Sequence, residues 1–191
     1  MADAARTTYL LVDGENIDAT LGTSILGRRP RPEERPRWER LLQFARDQWD
    51  QPAQGLFFLA ANSELPMTFV QALLAIGYRP MPLSGAPGQK VVDIAIQRTL
   101  TELRMREADV VLVSNDGDFV EEVGGLLDGR RVGLVGFVEF RNHAFNQLVE
   151  LGLETFDLEY DVMAFNERLP RVRVIAIDGP SASGKGTIAQ L

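Results

Sequence analysis

The chain has 191 residues, of which 45% are hydrophobic and 25% are charged, enough for one sizeable core with little room for a second complete domain. The lack of cysteine excludes disulfides, zinc–thiolate sites and cysteine nucleophiles, and the single histidine, His143, argues against a histidine-rich metal site. No stretch approaches the roughly 20 apolar residues of a membrane span, and residues 1–8 lack a signal-peptide core, so we expect a cytoplasmic protein without a membrane partner. The net charge of −7 argues against nucleic-acid binding by bulk attraction.

Strand-like and helix-like segments alternate along the chain. Short apolar runs predict strands at residues 9–12, 56–60, 78–83, 109–113, 131–138 and 155–158. Apolar residues at helical spacing predict helices at residues 37–49, 67–76, 91–106, 119–127 and 142–151. This alternation predicts a three-layer α/β/α, Rossmann-like fold, in which helices cover both faces of a mainly parallel sheet. Such sheets bind ligands beyond the carboxyl ends of the strands, near the point where the strand order reverses.

Four aspartates stand at predicted strand ends or helix starts: Asp13, Asp93, Asp116 and Asp118. Asp13 follows the first strand and Asp116 follows the strand at 109–113, so both point at one crevice if these strands are neighbours. Asp93 lies in the first turn of a helix, on the face that should turn toward the sheet, and an inward carboxylate there needs a partner. Oxygen ligands suit hard divalent cations, magnesium in particular. The sequence therefore predicts a carboxylate cage for such an ion, and phosphate-ester hydrolysis as the reaction class.

The same carboxylates also have explanations that involve no chemistry. Asp118 can cap a helix that begins at Phe119, with Glu121 completing a capping box. Asp116 can shape the turn before that helix, and Asp13 can be a turn residue after the first strand. Both interpretations are compatible with the sequence.

Arginines are concentrated between residues 27 and 40, among three prolines: Arg28, Arg29, Arg31, Arg35, Arg37 and Arg40. Because proline favours extended backbone, one interpretation is a semi-rigid, solvated surface loop. The segment also follows the first acidic strand end. The other interpretation is therefore an arm that contacts substrate phosphates through Arg28, Arg29, Arg31, Arg35 and Arg37.

Three segments, in the same order, resemble the motifs of the NYN domain, a branch of the PIN-like ribonucleases. They are Leu-Leu-Val-Asp-Gly-Glu-Asn-Ile (10–17), Lys-Val-Val-Asp (90–93) and Val-Leu-Val-Ser-Asn-Asp-Gly-Asp-Phe (111–119). The resemblance covers roughly residues 7–158, and we predict a PIN-like nuclease domain at residues 1–158. It implies Mg²⁺- or Mn²⁺-dependent cleavage of RNA by an endoribonuclease. It implies one set of metal ligands and catalytic residues: Asp13, Asp93, Asp116 and Asp118.

Further roles follow from position in these motifs. Asn16 and Ser114 would assist the metal site, and Lys90 would contact a phosphate. The arginine segment lies outside these motifs, so its contact with RNA does not follow from the resemblance. The chain carries Asn115 where many relatives carry Gly. It also carries Thr99 where many carry a further Asp, so the resemblance leaves the number of bound ions at one or two.

Two alternative functions stay open at this point. The first is a non-catalytic RNA-binding or scaffold module of the same fold, in which the aspartates only shape turns and cap helices. The second is a Toprim-like, magnesium-dependent phosphotransfer domain with an Asp-x-Asp pair, in which Glu15 rather than Asp13 would act.

The end of the sequence carries a separate motif, an apolar run at 174–177 followed by a phosphate-binding loop similar to the start of cytidylate kinase. The motif residues are Gly179, Gly184, Lys185 and Thr187. Because the sequence stops at Leu191, the strand and loop lack the rest of a kinase sheet, and we expect no kinase activity. We predict a linker at 159–170 and a truncated strand–P-loop appendage at 171–191. A homo-oligomer is compatible with the sequence.

Overall fold

The computed structural model describes residues 6–61, 66–86 and 88–170. The predicted appendage at 171–191, including Gly179, Gly184, Lys185 and Thr187, lies outside the described residues. Six parallel strands form one sheet. They are β1 (Thr7–Asp13), β2 (Ala53–Ala60), β3 (Tyr78–Leu83), β4 (Ala108–Val113), β5 (Val132–Gly136) and β6 (Glu154–Asp157).

The strand order is β3-β2-β1-β4-β5-β6, with β1 paired to β2 on one side and to β4 on the other. The chain runs outward from β1 to β3, returns to the centre, and runs outward again from β4 to β6. This reversal places the carboxyl ends of β1 and β4 side by side, where doubly wound sheets bind ligands. The predicted mainly parallel sheet is confirmed, and the two strands that carry Asp13 and Asp116 are neighbours.

Helices cover both faces of the sheet. They are α1 (Gly14–Ala19), a π-helix (Thr20–Leu26), α2 (Trp38–Asp47), α3 (Met67–Ala75), α4 (Val91–Leu103), α5 (Val120–Leu126) and α6 (Asn146–Glu150). Side chains from α1, the π-helix, α2 and α3 form one core cluster with the sheet, and those from α4, α5 and α6 form a second. The predicted three-layer α/β/α fold is confirmed. Within the described residues, no helix is long and apolar enough to cross a membrane.

Successive side chains of the central strands point to opposite faces of the sheet, so these strands contribute to both core clusters. Leu10 and Val12 belong to the first cluster, whereas Leu11 between them belongs to the second. Every residue of β4 is buried because this strand has neighbours on both sides and helices on both faces. Burying one of its Val or Leu side chains stabilises the fold by about 1.5 to 3 kcal/mol. The carboxyl edge of the sheet therefore extends from a fully buried strand.

Two regions differ from the predicted elements. The α1 and π-helix segment was missed, because glycines at its first residue and at Gly22 lower helix propensity and hide the apolar pair Ile17 and Leu21. The predicted helices at 119–127 and 142–151 each begin with a short 3-10 turn, Gly117–Phe119 and His143–Phe145, before the α-helix starts.

Residues 159–170, for which the sequence predicts a linker, lie against the first core cluster. Val162 and Ala164 are buried in that cluster. The guanidinium of Arg40 donates to the carbonyl oxygens of Met163 (3.0 Å) and Phe165 (3.1 Å). The segment is thus attached to α2 by both apolar and polar contacts.

Candidate metal centre

Asp13 ends β1 with its side chain buried, at 2% exposure. Its Oδ1 accepts the backbone N–H of Asn16 (3.2 Å), so Asp13 is also the N-cap of α1, and its Oδ2 accepts the hydroxyl of Ser114 (2.9 Å). Burial raises the pKa of Asp13 from 3.8 to about 6; these two hydrogen bonds oppose the rise, and the charges of Asp93 and Asp116 add to it. The residue is a buried carboxylate that faces other carboxylates.

Gly14, directly after Asp13, is required by close packing. A Cβ at this position would lie 2.5 Å from Cε1 of Phe57, a fully buried ring of the first core. The absence of a side chain lets α1 start immediately after the strand. Asp13 can therefore act as strand end and helix cap at once.

Three further aspartates converge beside Asp13. One carboxylate oxygen from each of Asp93, Asp116 and Asp118 lies within 4.8 Å of the other two. Asp93 belongs to the first turn of α4, and the other two belong to the 3-10 turn after β4. Asp13 stands outside this group of three, but close enough for its pKa to respond to two of them. The structure thus brings three of the four predicted carboxylates together, and Ser114 links the fourth, Asp13, to the backbone of Asp116.

The turn after β4 is organised by Asp116 and Ser114. Asp116 Oδ1 accepts the N–H of Asp118 (3.0 Å), and the Asp116 N–H donates to Ser114 Oγ (3.1 Å). The hydroxyl of Ser114 therefore links Asp13 to the backbone of Asp116. The predicted helix cap by Asp118 is wrong: Asp116 caps the 3-10 turn, and α5 follows Phe119 without a side-chain cap.

Lys90 places an ammonium group on the acidic cluster. Its Nζ lies 2.7 Å from Asp118 Oδ2 and 3.5 Å from Asp93 Oδ2. The hydrogen bond to Asp118 raises the pKa of Lys90, with further contributions from the charges of Asp118 and Asp93. The carboxylates of this edge already attract a cation in the absence of any ion.

Asn115 forms hydrogen bonds with four other segments at this edge of the sheet. Its N–H donates to Asn16 Oδ1 (2.8 Å), its Oδ1 accepts the N–H of Phe137 (3.0 Å), and its carbonyl accepts the N–H of Asn142 (3.3 Å). Its Nδ2 also reaches Thr20 in the π-helix (3.4 Å). In the sequence, Asn115 stands out only as a departure from relatives. Its position two residues after an all-buried strand was the available signal.

Glu15 lies on the other side of α1. Its Oε1 accepts the N–H of Ala60 at the end of β2 (3.3 Å), and it lines an open cavity of about 560 Å³ together with Asp18 and Arg28. It is not part of the aspartate group, so the arrangement expected for a Toprim-like site is absent from the described residues.

The arginine segment folds back on α1. Arg28 forms two hydrogen bonds with Glu34 (2.8 and 2.5 Å), and Arg35 forms two with Asp18 (2.6 and 3.1 Å). Arg31 approaches Glu33 only at 3.9 Å. Two predicted RNA contacts remain without a carboxylate partner in the described chain: Arg29 and Arg37. The segment is therefore a braced loop rather than an extended arm.

The model of the NYN domain family matches residues 7–151. A crystal structure of a protein of unknown function from Vibrio parahaemolyticus is similar to this chain, with a TM-score of 0.65 and 19% identity over 84% of this chain and 98% of that one. At this identity the likeness shows the fold alone. A search of curated proteins finds no match. Because the family model covers most of the chain and includes all three motifs, the chain belongs to the NYN domain family, a branch of the PIN-like nuclease superfamily.

Proposed function

We propose that this chain is a divalent-metal-dependent endoribonuclease that hydrolyses RNA phosphodiester bonds at the carboxyl edge of its sheet. The observation that carries the proposal is the convergence of Asp93, Asp116 and Asp118 within 4.8 Å, next to the buried Asp13. Membership of a nuclease superfamily supports the same conclusion. The reaction class follows from the ligand atoms. A site made of carboxylate oxygens binds hard cations, which in turn bind phosphate.

The residues present fit Mg²⁺ or Mn²⁺. All four side chains offer oxygen, and the charges of Asp93 and Asp116 raise the pKa of Asp13, a cost that a cation would relieve. When bound, such an ion would lower the pKa of a bound water toward neutrality and stabilise the leaving oxygen of the displacement. Thr99 supplies a hydroxyl where a further carboxylate would favour a second ion, and this hydroxyl donates within its own helix, to the carbonyl of Ala95.

The remaining residues of the edge position these ligands and the substrate. Ser114 and Asn16 hold Asp13 through direct hydrogen bonds, and Ser114 also holds the backbone of Asp116. Such supporting bonds fix the orientation of metal ligands. Lys90, exposed beside the cluster, supplies a positive charge for a substrate phosphate. Arg29 and Arg37 are the cations of the arginine segment that remain free to contact RNA.

The test is a cleavage assay with purified protein on mixed single-stranded and structured RNA, with Mg²⁺ or Mn²⁺ and with chelator. Asp116→Asn should lower cleavage by at least about 100-fold, because even residues that only orient metal ligands typically contribute 10- to 100-fold. Asp47→Asn is the matched control, since Asp47 is exposed on α2 and its carboxylate accepts a hydrogen bond from Gln43 on the same helix. Cleavage that survives in Asp116→Asn, or that chelator does not stop, would contradict the proposal.

A second candidate function is a non-catalytic RNA-binding module. It is favoured by the fact that Asp13 and Asp116 each cap a turn and that Asp118 is paired with Lys90, so these carboxylates have partners without an ion. RNA binding without cleavage, unchanged by divalent ions, would support this alternative.

A further inference from the structure

We infer that Lys90 is a displaceable internal cation, which holds the acidic cluster together in the metal-free protein and leaves it when a divalent ion binds. The inference rests on the proposed metal site. Its basis is the position of the ammonium between Asp118 Oδ2 (2.7 Å) and Asp93 Oδ2 (3.5 Å). A divalent ion bound by these carboxylates would compete with Lys90 for the same oxygen lone pairs.

The place of Lys90 in the fold shows that the carboxylates hold it there. Lys90 is the N-cap of α4, a position where the helix dipole disfavours positive charge. Its side chain nevertheless reaches Asp93 in the first turn of the same helix and Asp118 in the turn after β4. The attraction of two carboxylates therefore outweighs the repulsion by the helix terminus, and Lys90 joins two segments that are 28 residues apart in sequence.

The same geometry makes the contact easy to break. The Lys90 side chain is 66% exposed and that of Asp118 is 50% exposed. Exposed ion pairs contribute little to stability and are screened by salt. A lysine is a single charge on a flexible four-carbon chain, whereas the competing ion carries two charges. Among the described residues, the contacts that hold the ammonium on the cluster are its ion pairs with Asp93 and Asp118.

Displacement would couple the metal to the substrate. Once the ion occupies Asp93 and Asp118, the ammonium of Lys90 loses both partners while remaining beside the same edge of the sheet. It then becomes available to a phosphate of the RNA. Lys90 thus pairs with carboxylates in the metal-free state and with an RNA phosphate in the metal-bound state. Binding of the ion releases the group that binds the phosphate.

Lysine labelling tests this step directly, because Lys90 and Lys185 are the two lysines of the sequence. Full-length protein labelled with ¹³C at lysine Cε gives two methylene signals, and Lys90→Met assigns them by removing one. Titration with Mg²⁺, which is diamagnetic, should shift the Lys90 signal with the same midpoint as Mg²⁺ binding measured by calorimetry. At saturation the signal should approach that of Lys90 in Asp118→Asn, where the main partner is absent.

Mn²⁺ affinity without RNA gives an independent measurement. Lys90→Met should bind Mn²⁺ about two- to fivefold more tightly than wild type, the range expected on removal of an exposed ionic competitor. Arg98→Met is the control, since Arg98 is an exposed cation on the same helix that forms no ion pair with any described residue. The binding gain should be confined to Lys90→Met.

The outcomes separate the two proposals. A Lys90 signal that stays fixed while Mg²⁺ binds, or equal Mn²⁺ affinity in Lys90→Met and Arg98→Met, overturns the displacement and leaves the proposed nuclease standing. Failure of wild-type protein to bind Mg²⁺ and Mn²⁺ overturns both. A shift that matches the binding curve, together with a gain specific to Lys90→Met, supports displacement.

Discussion

Two buried aspartates lie at opposite ends of the two central strands, and different groups surround them. Asp109, near the amino end of β4, is 1% exposed. Its carboxylate accepts Gln51 Nε2 (2.9 Å) and the N–H of Arg131 (2.9 Å), and it lies 3.4 Å from the guanidinium of Arg6. The charge of Asp109 is therefore compensated by donors that include a cation.

Asp13, at the carboxyl end of β1, is equally buried but is not compensated in this way. Its two donors, the N–H of Asn16 and the hydroxyl of Ser114, are both neutral. Its charged neighbours Asp93 and Asp116 repel it. A buried charge without a counter-charge costs stability unless a proton or a metal relieves it. What faces a buried carboxylate is thus more informative about function than its burial.

The largest effect is expected when the two aspartates are neutralised in turn. Asp13→Asn should lower metal-dependent RNA cleavage by at least about 100-fold, because ligand-orienting residues alone typically contribute 10- to 100-fold. Asp109→Asn changes a residue at the far edge of the sheet and should retain cleavage close to wild type. Initial rates at saturating Mg²⁺ with folded protein measure both. Similar losses in the two variants would remove the functional distinction between the edges.

The two substitutions should change the free energy of unfolding in opposite directions. In metal-free buffer at pH 7.5, Asp13→Asn should raise the free energy of unfolding by about 1 to 3 kcal/mol, because an amide carries no charge to bury. Asp109→Asn should lower it by about 1 to 3 kcal/mol, since the donors from Arg131 and Gln51 lose a charged acceptor. Urea unfolding measures both changes, and a destabilised Asp13→Asn would contradict the prediction.

The pH dependence follows from the raised pKa of Asp13. Between the ordinary value of 3.8 and about 6, the folded protein holds a proton that the unfolded chain has released. Stability contributed by Asp13 is therefore present below this window and is lost as pH rises through it. Subtracting the pH profile of Asp13→Asn from that of wild type should isolate this fall. If the stability of wild type relative to Asp13→Asn instead rises with pH, the folded protein favours the charged form of Asp13.

A smaller effect is expected at Asn115. Asn115→Ala leaves the N–H of Phe137 without its acceptor and loosens the turn that carries Asp116, so kcat should fall about tenfold with KM for RNA unchanged. Asn146→Ala is the control, because Asn146 is exposed and its side chain accepts a hydrogen bond from the guanidinium of Arg141. A loss confined to KM, or equal in both variants, would argue against a positioning role.

The smallest effect concerns the arginine segment. Arg29→Ala should reduce the salt slope of RNA binding in chelator by about 0.7, the value for one lost single-strand phosphate contact. Arg28→Ala should change it less, because the guanidinium is already bound to Glu34. Fluorescence anisotropy over a series of salt concentrations measures the slopes. Equal slopes for wild type and Arg29→Ala would assign the segment to a purely structural role.

The sheet and the strand-end aspartates were predictable because they depend on local patterns. Apolar runs such as residues 109–113 specify buried strands, and the parallel order places Asp13 and Asp116 at one edge. The predicted strands are all present, with shifts of a few residues at their ends. The catalytic and metal-binding roles of the four aspartates stay predictions, now with a geometry that the variants above can test.

The rest depends on contacts across the fold that no local pattern encodes. Asn115 acquires its importance from Asn16 and Phe137, which are distant in sequence. The pairing of Lys90 with Asp118 likewise needs the fold to bring α4 beside the turn after β4. The sequence makes Asp118 a possible helix cap, but a 3-10 turn precedes the helix and Asp116 caps that turn instead.

The contact between Asn115 and Gly136 has an evolutionary consequence. A Cβ on Gly136 would overlap Oδ1 of Asn115, so the amide side chain occupies space that any other residue at 136 would need. The two positions should therefore change together during divergence: Asn at 115 requires Gly at 136, and Gly at 115 would remove the closest obstacle to a side chain there, leaving the carbonyl oxygen of Ser114 at 3.3 Å. The residue pair at positions 115 and 136 would then distinguish this branch of the family without reference to the aspartates.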